Sequence, residues 1–125
     1  MKKELNSTAA PAAIGPYSQA IQAGNLIFVS GQLPIDAATG GEMPSDIKAQ
    51  TRQSIANIKA ILAEAGATLD NVVKTTVFLA DMSYFGPMNE VYAEEFKKVY
   101  PARCAFAVKE LPKQALVEIE VIAAV

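Results

Sequence analysis

The segment Leu116-Val117-Glu118-Ile119-Glu120-Val121-Ile122 alternates with a period of two, and this constrains the fold more than any other stretch. Successive side chains of a strand point to opposite faces of its sheet. Val117, Ile119 and Val121 therefore share one uniformly apolar side, which other elements of the chain must cover. Leu116, Glu118, Glu120 and Ile122 share the other side, mixing two acids with two large aliphatics. That mixture does not suit a freely solvated face. It implies partial burial against another subunit, and so an oligomer.

The rest of the chain supplies the covering layer. A helix is expected from about Ser45, read as the N-cap with Asp46 in the first turn, to a stop at Gly66. Ile47, Thr51, Ile55, Ile58, Ile61, Leu62 and Ala65 recur there at helical spacing. A second helix is expected from about Tyr84 to Val99, ended by Pro101. Its apolar face carries Phe85, Met88, Tyr92, Phe96 and Val99, with Asn89 on the same side. Strands are expected at Tyr17 to Gln22 and Leu26 to Ser30, turning at Gly24-Asn25. Further strands are read at Val72 to Ala80, Arg103 to Glu110 and Leu116 to Ala124, with a short one near Lys3 to Asn6. Pro34 to Pro44 is expected as a loop, and Pro112-Lys113-Gln114 as a turn. The order is β-β-α-β-α-β-β. Two helices cannot cover both faces of such a sheet, so the fold class is α+β, a mixed β-sheet with two helices packed on one face.

Length and charge narrow the possibilities. With 125 residues, 51% of them hydrophobic, positions 1–125 are expected to form a single domain that needs neither disulfides nor a structural metal. The net charge is −2 and no basic run occurs, so no nucleic-acid partner is expected. No apolar run approaches the length of a bilayer span, and the N-terminus lacks the apolar core of a signal peptide. Cys104 is the only cysteine. A reducing, cytoplasmic setting is the expectation.

There is no histidine. Ser-His-Asp and Cys-His nucleophile pairs are therefore excluded, and so are the usual zinc sites. No glycine-rich phosphate loop is present either. Catalysis, if any, falls to Arg, Lys, Glu, Asp, Tyr, Ser, backbone groups or water, with neither cofactor nor metal called for.

Arg103 opens a strand of small and apolar residues, Arg103-Cys104-Ala105-Phe106-Ala107-Val108. A guanidinium there can hold a carboxylate through two parallel hydrogen bonds, or can simply be a solvated strand-edge arginine paired with Glu. Glu118 and Glu120 lie roughly 7 Å apart on one strand face, able to share acid–base work or to be ordinary surface charges. Spacing alone does not say which of them matters. Gly31, after Ser30, can let a ligand reach backbone N–H groups, or can serve a turn. Tyr17 and Asn89 suit packing and internal hydrogen bonding. Cys104, with no basic neighbour but Arg103, reads as an inert thiol.

Six segments nevertheless follow one another in a recognisable order. They are Ala12-Ala13-Ile14-Gly15-Pro16-Tyr17-Ser18-Gln19-Ala20, Val29-Ser30-Gly31-Gln32, Lys74-Thr75-Thr76-Val77-Phe78, Asn89-Glu90-Val91-Tyr92, Pro101-Ala102-Arg103 and Glu118-Ile119-Glu120-Val121-Ile122-Ala123. Together, from about Ala9 to Ala123, they closely resemble the reactive intermediate (imine) deaminase A family. The resemblance implies a chorismate-mutase-like fold, a homotrimer with sites in the clefts between subunits, and no cofactor. It also implies hydrolysis of 2-imino acids (2-aminoacrylate/2-iminopropanoate and 2-iminobutanoate) to 2-keto acids and ammonia. Arg103 then matches the position that binds the substrate carboxylate, and Glu120 the one that positions water or protonates through it. Tyr17, Ser30, Gly31 and Asn89 match pocket-lining positions, with backbone groups of Cys104 and Ala105 beside them. Many members read Arg-Ser-Cys or Arg-Ser-Ala where this chain has Arg103-Cys104-Ala105, a change without consequence if only main-chain groups act there.

Two other readings belong to different classes. Related proteins have been described as ribonucleases or translation inhibitors, against which the acidic charge and missing histidine weigh. A non-catalytic regulator that binds small metabolites would use the same carboxylate-holding cleft. The joint presence of Arg103 and Glu120 favours the enzyme.

Overall fold

The computed structural model describes residues 1–125. Six strands form one sheet: β1 (Lys2–Leu5), β2 (Ala20–Ala23), β3 (Leu26–Gln32), β4 (Val72–Leu79), β5 (Ala102–Ala107) and β6 (Val117–Ala124). Their spatial order is β1-β2-β3-β6-β4-β5. Only β4 and β5 run parallel, and the crossover between them is a helix, as parallel neighbours require. The helices are α1 (Ile47–Ala63) and α2 (Phe85–Glu95). The fold is thus the mixed α+β arrangement that the element order predicts, short N-terminal strand included.

The alternation in β6 sorts its residues as expected. Val117, Ile119, Val121 and Ala123 are almost completely buried beneath the helices. They share one core with Ile55, Ile58, Ile61 and Leu62 of α1 and with Met88, Val91 and Tyr92 of α2. Fully burying one such aliphatic side chain is worth roughly 1.5–3 kcal/mol. The opposite sheet face carries no element of this chain: Phe28 and Phe106 stand 42% and 44% exposed on it.

The element boundaries differ from expectation where tertiary contacts override local signals. Asp46, not Ser45, is the N-cap of α1, extended in conformation and without a side-chain cap bond. Gln50 ties that end down instead, donating to the Pro44 carbonyl and accepting from the Leu116 N–H. At the other end Gly66 adopts φ +70°, which lets the Ala67 N–H reach back to the Leu62 carbonyl.

Helix α2 ends at Glu95 rather than Val99. Phe96 turns extended to bury itself against Tyr92, with ring centroids 4.4 Å apart, while Val99 is left 96% exposed. Strand β2 starts at Ala20 rather than Tyr17, because the buried Gln19 side chain stitches the preceding segment into a loop. It accepts from the Ser7 N–H at 2.7 Å and donates to the Pro11 carbonyl at 2.8 Å. Strand β3 runs past Ser30 to Gln32, with a register shift against β6 between Val29 and Gln32. Strand β5 stops at Ala107, short of Glu110.

Candidate functional site

Strand pairing decides where each candidate side chain points. Arg103 pairs with Thr75 of β4, an inward position. Its guanidinium therefore lies on the helix side, above the first turns of α2. There Nη1 donates to Asn89 Oδ1 at 2.7 Å. Its Cζ sits 4.6 Å from the Tyr92 ring centroid and 5.5 Å from that of Phe85. Phe85, Asn89 and Tyr92 follow at i, i+4 and i+7, one stripe of a helix. Pro87 causes no break, since it falls in the first turn, where its missing N–H has no intrahelical partner.

The platform is itself fixed. Tyr92 OH and Thr75 Oγ1 share a buried 2.8 Å hydrogen bond. Burial holds the Tyr92 phenol above its ordinary pKa, against opposing contributions from Thr75 and the Arg103 charge, so it stays a neutral surface for the cation. Arg103 takes no part in the three ion pairs, Lys48–Glu90, Arg52–Glu94 and Lys59–Glu95, which lie between α1 and the α2 segment. Apart from the bond to Asn89, its donors face a cavity lined by Asn89, Tyr92, Ala93, Tyr100, Pro101 and Arg103. An anchored guanidinium with donors to spare on an aromatic floor is suited to a planar carboxylate.

Glu120 lies elsewhere. It pairs with Thr76, which also pairs with Cys104, so Glu120, Thr76 and Cys104 form one row across the open face. Arg103 and Glu120 of one chain are thus two strands apart, roughly 10 Å, and on opposite faces of the sheet. Ala105, next inward after Arg103, packs against the core.

Tyr17 and Gly31 meet at a third place, a cavity of about 430 Å³ whose walls also include Ile14, Gln32, Ile35 and Lys113. Ser30 contributes no free hydroxyl there: its Oγ donates to the Ser18 carbonyl at 2.7 Å. On the Cβ side, however, the space beside Gly31 is already filled. A Cβ at that position would collide with the Glu118 carboxyl group, which lies over the glycine. No three of Cys, Asp and Glu converge as metal ligands.

One chain therefore unites Arg103 with Asn89, and Tyr17 with Gly31, but joins neither set to Glu120. Tyr92 and Phe85 under Arg103 are additions to the site that sequence reasoning passed over; Glu118, already a candidate beside Glu120, is found over Gly31. The helical stripe Phe85-Asn89-Tyr92 signalled the first two; Gly31 and Glu118 are brought together only by the β3–β6 register.

Comparison with known proteins places this geometry in context. The profile of the family described as Endoribonuclease L-PSP matches residues 7–125. A RutC family protein of Pyrococcus horikoshii is 56% identical over 123 residues, covering 98% of both chains. The 2-iminobutanoate/2-iminopropanoate deaminase of mouse is 46% identical over 123 residues, covering 98% of this chain and 91% of the relative. Among solved structures, Escherichia coli TdcF with bound serine superposes with a TM-score of 0.93 at 41% identity, covering 98% of each chain.

Proposed function

Because the chain belongs to the endoribonuclease L-PSP (RutC/RidA) family, we propose that it is a 2-iminobutanoate/2-iminopropanoate deaminase, hydrolysing small 2-imino acids to 2-keto acids and ammonia. The observation that carries this is Arg103, held by Asn89 over Tyr92 and Phe85 with donors facing a cavity. The deaminase name of the mouse relative and the serine bound to TdcF favour a small amino-acid-like carboxylate in that grip.

A homotrimer with a chorismate-mutase-like fold accounts for the separated residues. A ring-forming interface joins two different patches of neighbouring subunits, so it can bring the Arg103 cavity of one against the Glu120 face of the next. The exposed Phe28 and Phe106 give that face the apolar surface an interface needs. Tyr17, Ser30, Gly31 and the backbone of Cys104 and Ala105 line the cleft in this reading. The working compartment is the cytoplasm, where Cys104 persists as a thiol.

The chemistry needs neither metal nor cofactor. A protonated imine is already electrophilic, so the site has only to hold the substrate and place a water. Arg103 fixes the carboxylate. The water oxygen bonds to the imine carbon and yields a proton to Glu120, which passes it to the amino nitrogen. The C–N bond then breaks, and the carbinol oxygen releases its proton as the carbonyl forms, giving 2-keto acid and ammonium. Coupling a threonine dehydratase to the protein and following keto acid release tests this. Release above the spontaneous rate, lost in Arg103→Ala, is expected; equal release with and without the protein contradicts it.

A further inference from the structure

The cavity that Tyr17 and Gly31 share is larger than the substrates named so far require. Its volume of about 430 Å³ is that of an ordinary ligand pocket, whereas the side chain of 2-iminobutanoate is one ethyl group. Ile14, Leu33 and Ile35 give it apolar flanks, and a single charged residue, Lys113, stands on its wall. We propose that Lys113 is a specificity-determining residue for 2-imino acids that carry a second carboxylate. The substrate side chain lies in this cavity, and its terminal carboxylate meets the Lys113 ammonium group. This rests on the imine-hydrolysis reading, in which Tyr17 and Gly31 line the cleft that Arg103 of the neighbouring subunit completes.

The backbone commits Lys113 to that place. It stands at φ +57° and ψ +22°, followed by Gln114 at φ +57°. Glycine takes this left-handed conformation freely, but a residue with a Cβ pays roughly 1–2 kcal/mol for it. The turn is pinned at both ends. Gln114 N–H donates to the Leu111 carbonyl and Ala115 N–H to the Pro112 carbonyl, each at 3.2 Å, and Leu111 and Ala115 are buried. A costly conformation held firmly at the edge of a cavity points to a functional constraint. The ammonium group is also unspent, since Lys113 takes no part in the three ion pairs. Gln32 adds a second donor to the same wall. It is 5% exposed, and its one side-chain bond runs from Nε2 to the Ser30 carbonyl at 3.2 Å, leaving the other amide hydrogen uncommitted.

The surrounding charges make the cation necessary. Asp36 and Glu42 flank the loop that supplies Ala37, Gly40 and Gly41 to the wall. Glu118 lies over Gly31, and Glu120 follows it on the same strand face. None of these four acids is itself on the wall, and Asp36 is turned into its own loop, where Oδ1 accepts from the Ala38 N–H at 2.9 Å. Lys109 and Glu110, in the connection leading to the turn, are exposed and of opposite sign. The neighbouring subunit's Arg103 is engaged by the first carboxylate. A second carboxylate therefore meets a negative field unless Lys113 answers it.

The test is calorimetric titration of the assembled protein with two stable keto acids, 2-oxoglutarate and its 5-methyl ester. They share one chain and differ in the terminal charge. Wild type should bind the diacid roughly fivefold more tightly than the ester, about what one part-exposed ion pair supports. Lys113→Arg should keep that preference. Lys113→Met should reverse it, because the surrounding acids then go unanswered. Equal or weaker binding of the diacid by wild type, a preference that survives in Lys113→Met, or no binding of either compound overturns the inference. The corresponding imine, generated in place from glutamate by an amino-acid oxidase, supplies the kinetic readout, and its kcat/KM should fall in Lys113→Met by a similar factor. Absence of hydrolysis for every imino acid tried overturns the deaminase reading instead, and the calorimetric preference then still decides whether Lys113 recognises a second carboxylate.

Discussion

Asn89 Oδ1 accepts a 2.7 Å hydrogen bond from Arg103 Nη1, so the arginine is aimed before any ligand arrives. Removing the acceptor frees the guanidinium to wander and costs binding, not chemistry. Hydrogen bonds to charged groups are worth roughly 1.5–3 kcal/mol, and Asn89→Ala should raise KM for an imino acid about tenfold or more while changing kcat less. Asn89→Asp should do worse, because its carboxylate competes with the substrate for Arg103. Steady-state kinetics checks this; an unchanged KM in both variants would show that Asn89 does not aim the arginine.

Gln114 stands at φ +57°, directly after Lys113 at the same φ, in the turn before β6. Side chains with a Cβ find this left-handed conformation costly, by roughly 1–2 kcal/mol each. Gln114 is exposed and its side chain makes no hydrogen bond. Gln114→Gly should relieve the strain and lose part of that gain to the freer unfolded chain, for a net stabilisation of about 0.5–1 kcal/mol. A rise in Tm of roughly 2–4 °C is the expected outcome; a fall would mean that the turn holds no such strain.

Glu118 links stability to pH. Its carboxyl is raised in the folded protein above the ordinary 4.5, so the native state binds more protons than the unfolded chain over the interval between the two values. Stability from this residue is therefore present below 4.5 and is lost as pH rises through the folded pKa. Glu118→Gln removes that dependence. Its Tm relative to wild type should increase from pH 4 to pH 7 in parallel thermal melts, and a difference constant with pH would contradict the assignment.

The architecture was legible because its signals are periodic and local. Val117, Ile119 and Val121 announce a half-buried strand by alternation alone, and Ile55, Ile58 and Leu62 announce a helix that covers it. What could not be read depends on partners distant in sequence. Strand β2 starts late because the Gln19 side chain reaches back to Ser7 and Pro11, bonds that no local pattern announces.

The candidate site shows the same division. Arg103 and Glu120 stand on different strands, and no periodicity relates the facing of one to that of the other. Only the shared pairing through β4, Thr75 with Arg103 and Thr76 with Glu120, reveals that they point apart. Glu118 over Gly31 is likewise a product of the β3–β6 register shift. Arg103 as a carboxylate grip was approachable from sequence; its floor of Tyr92 and Phe85 needed α2 laid beside β5.

The central claim is that one working site takes Arg103 from one subunit and Glu120 from its neighbour. Arg103→Ala and Glu120→Ala should each be inactive alone in the dehydratase-coupled assay. Mixed at equal amounts, dissociated and reassembled into random trimers, they should recover about a quarter of wild-type activity, because each mixed ring contains one interface with both residues intact. Recovery near that level supports a site shared between subunits. No recovery, from mixtures shown by mass to contain both chains in one ring, would contradict it.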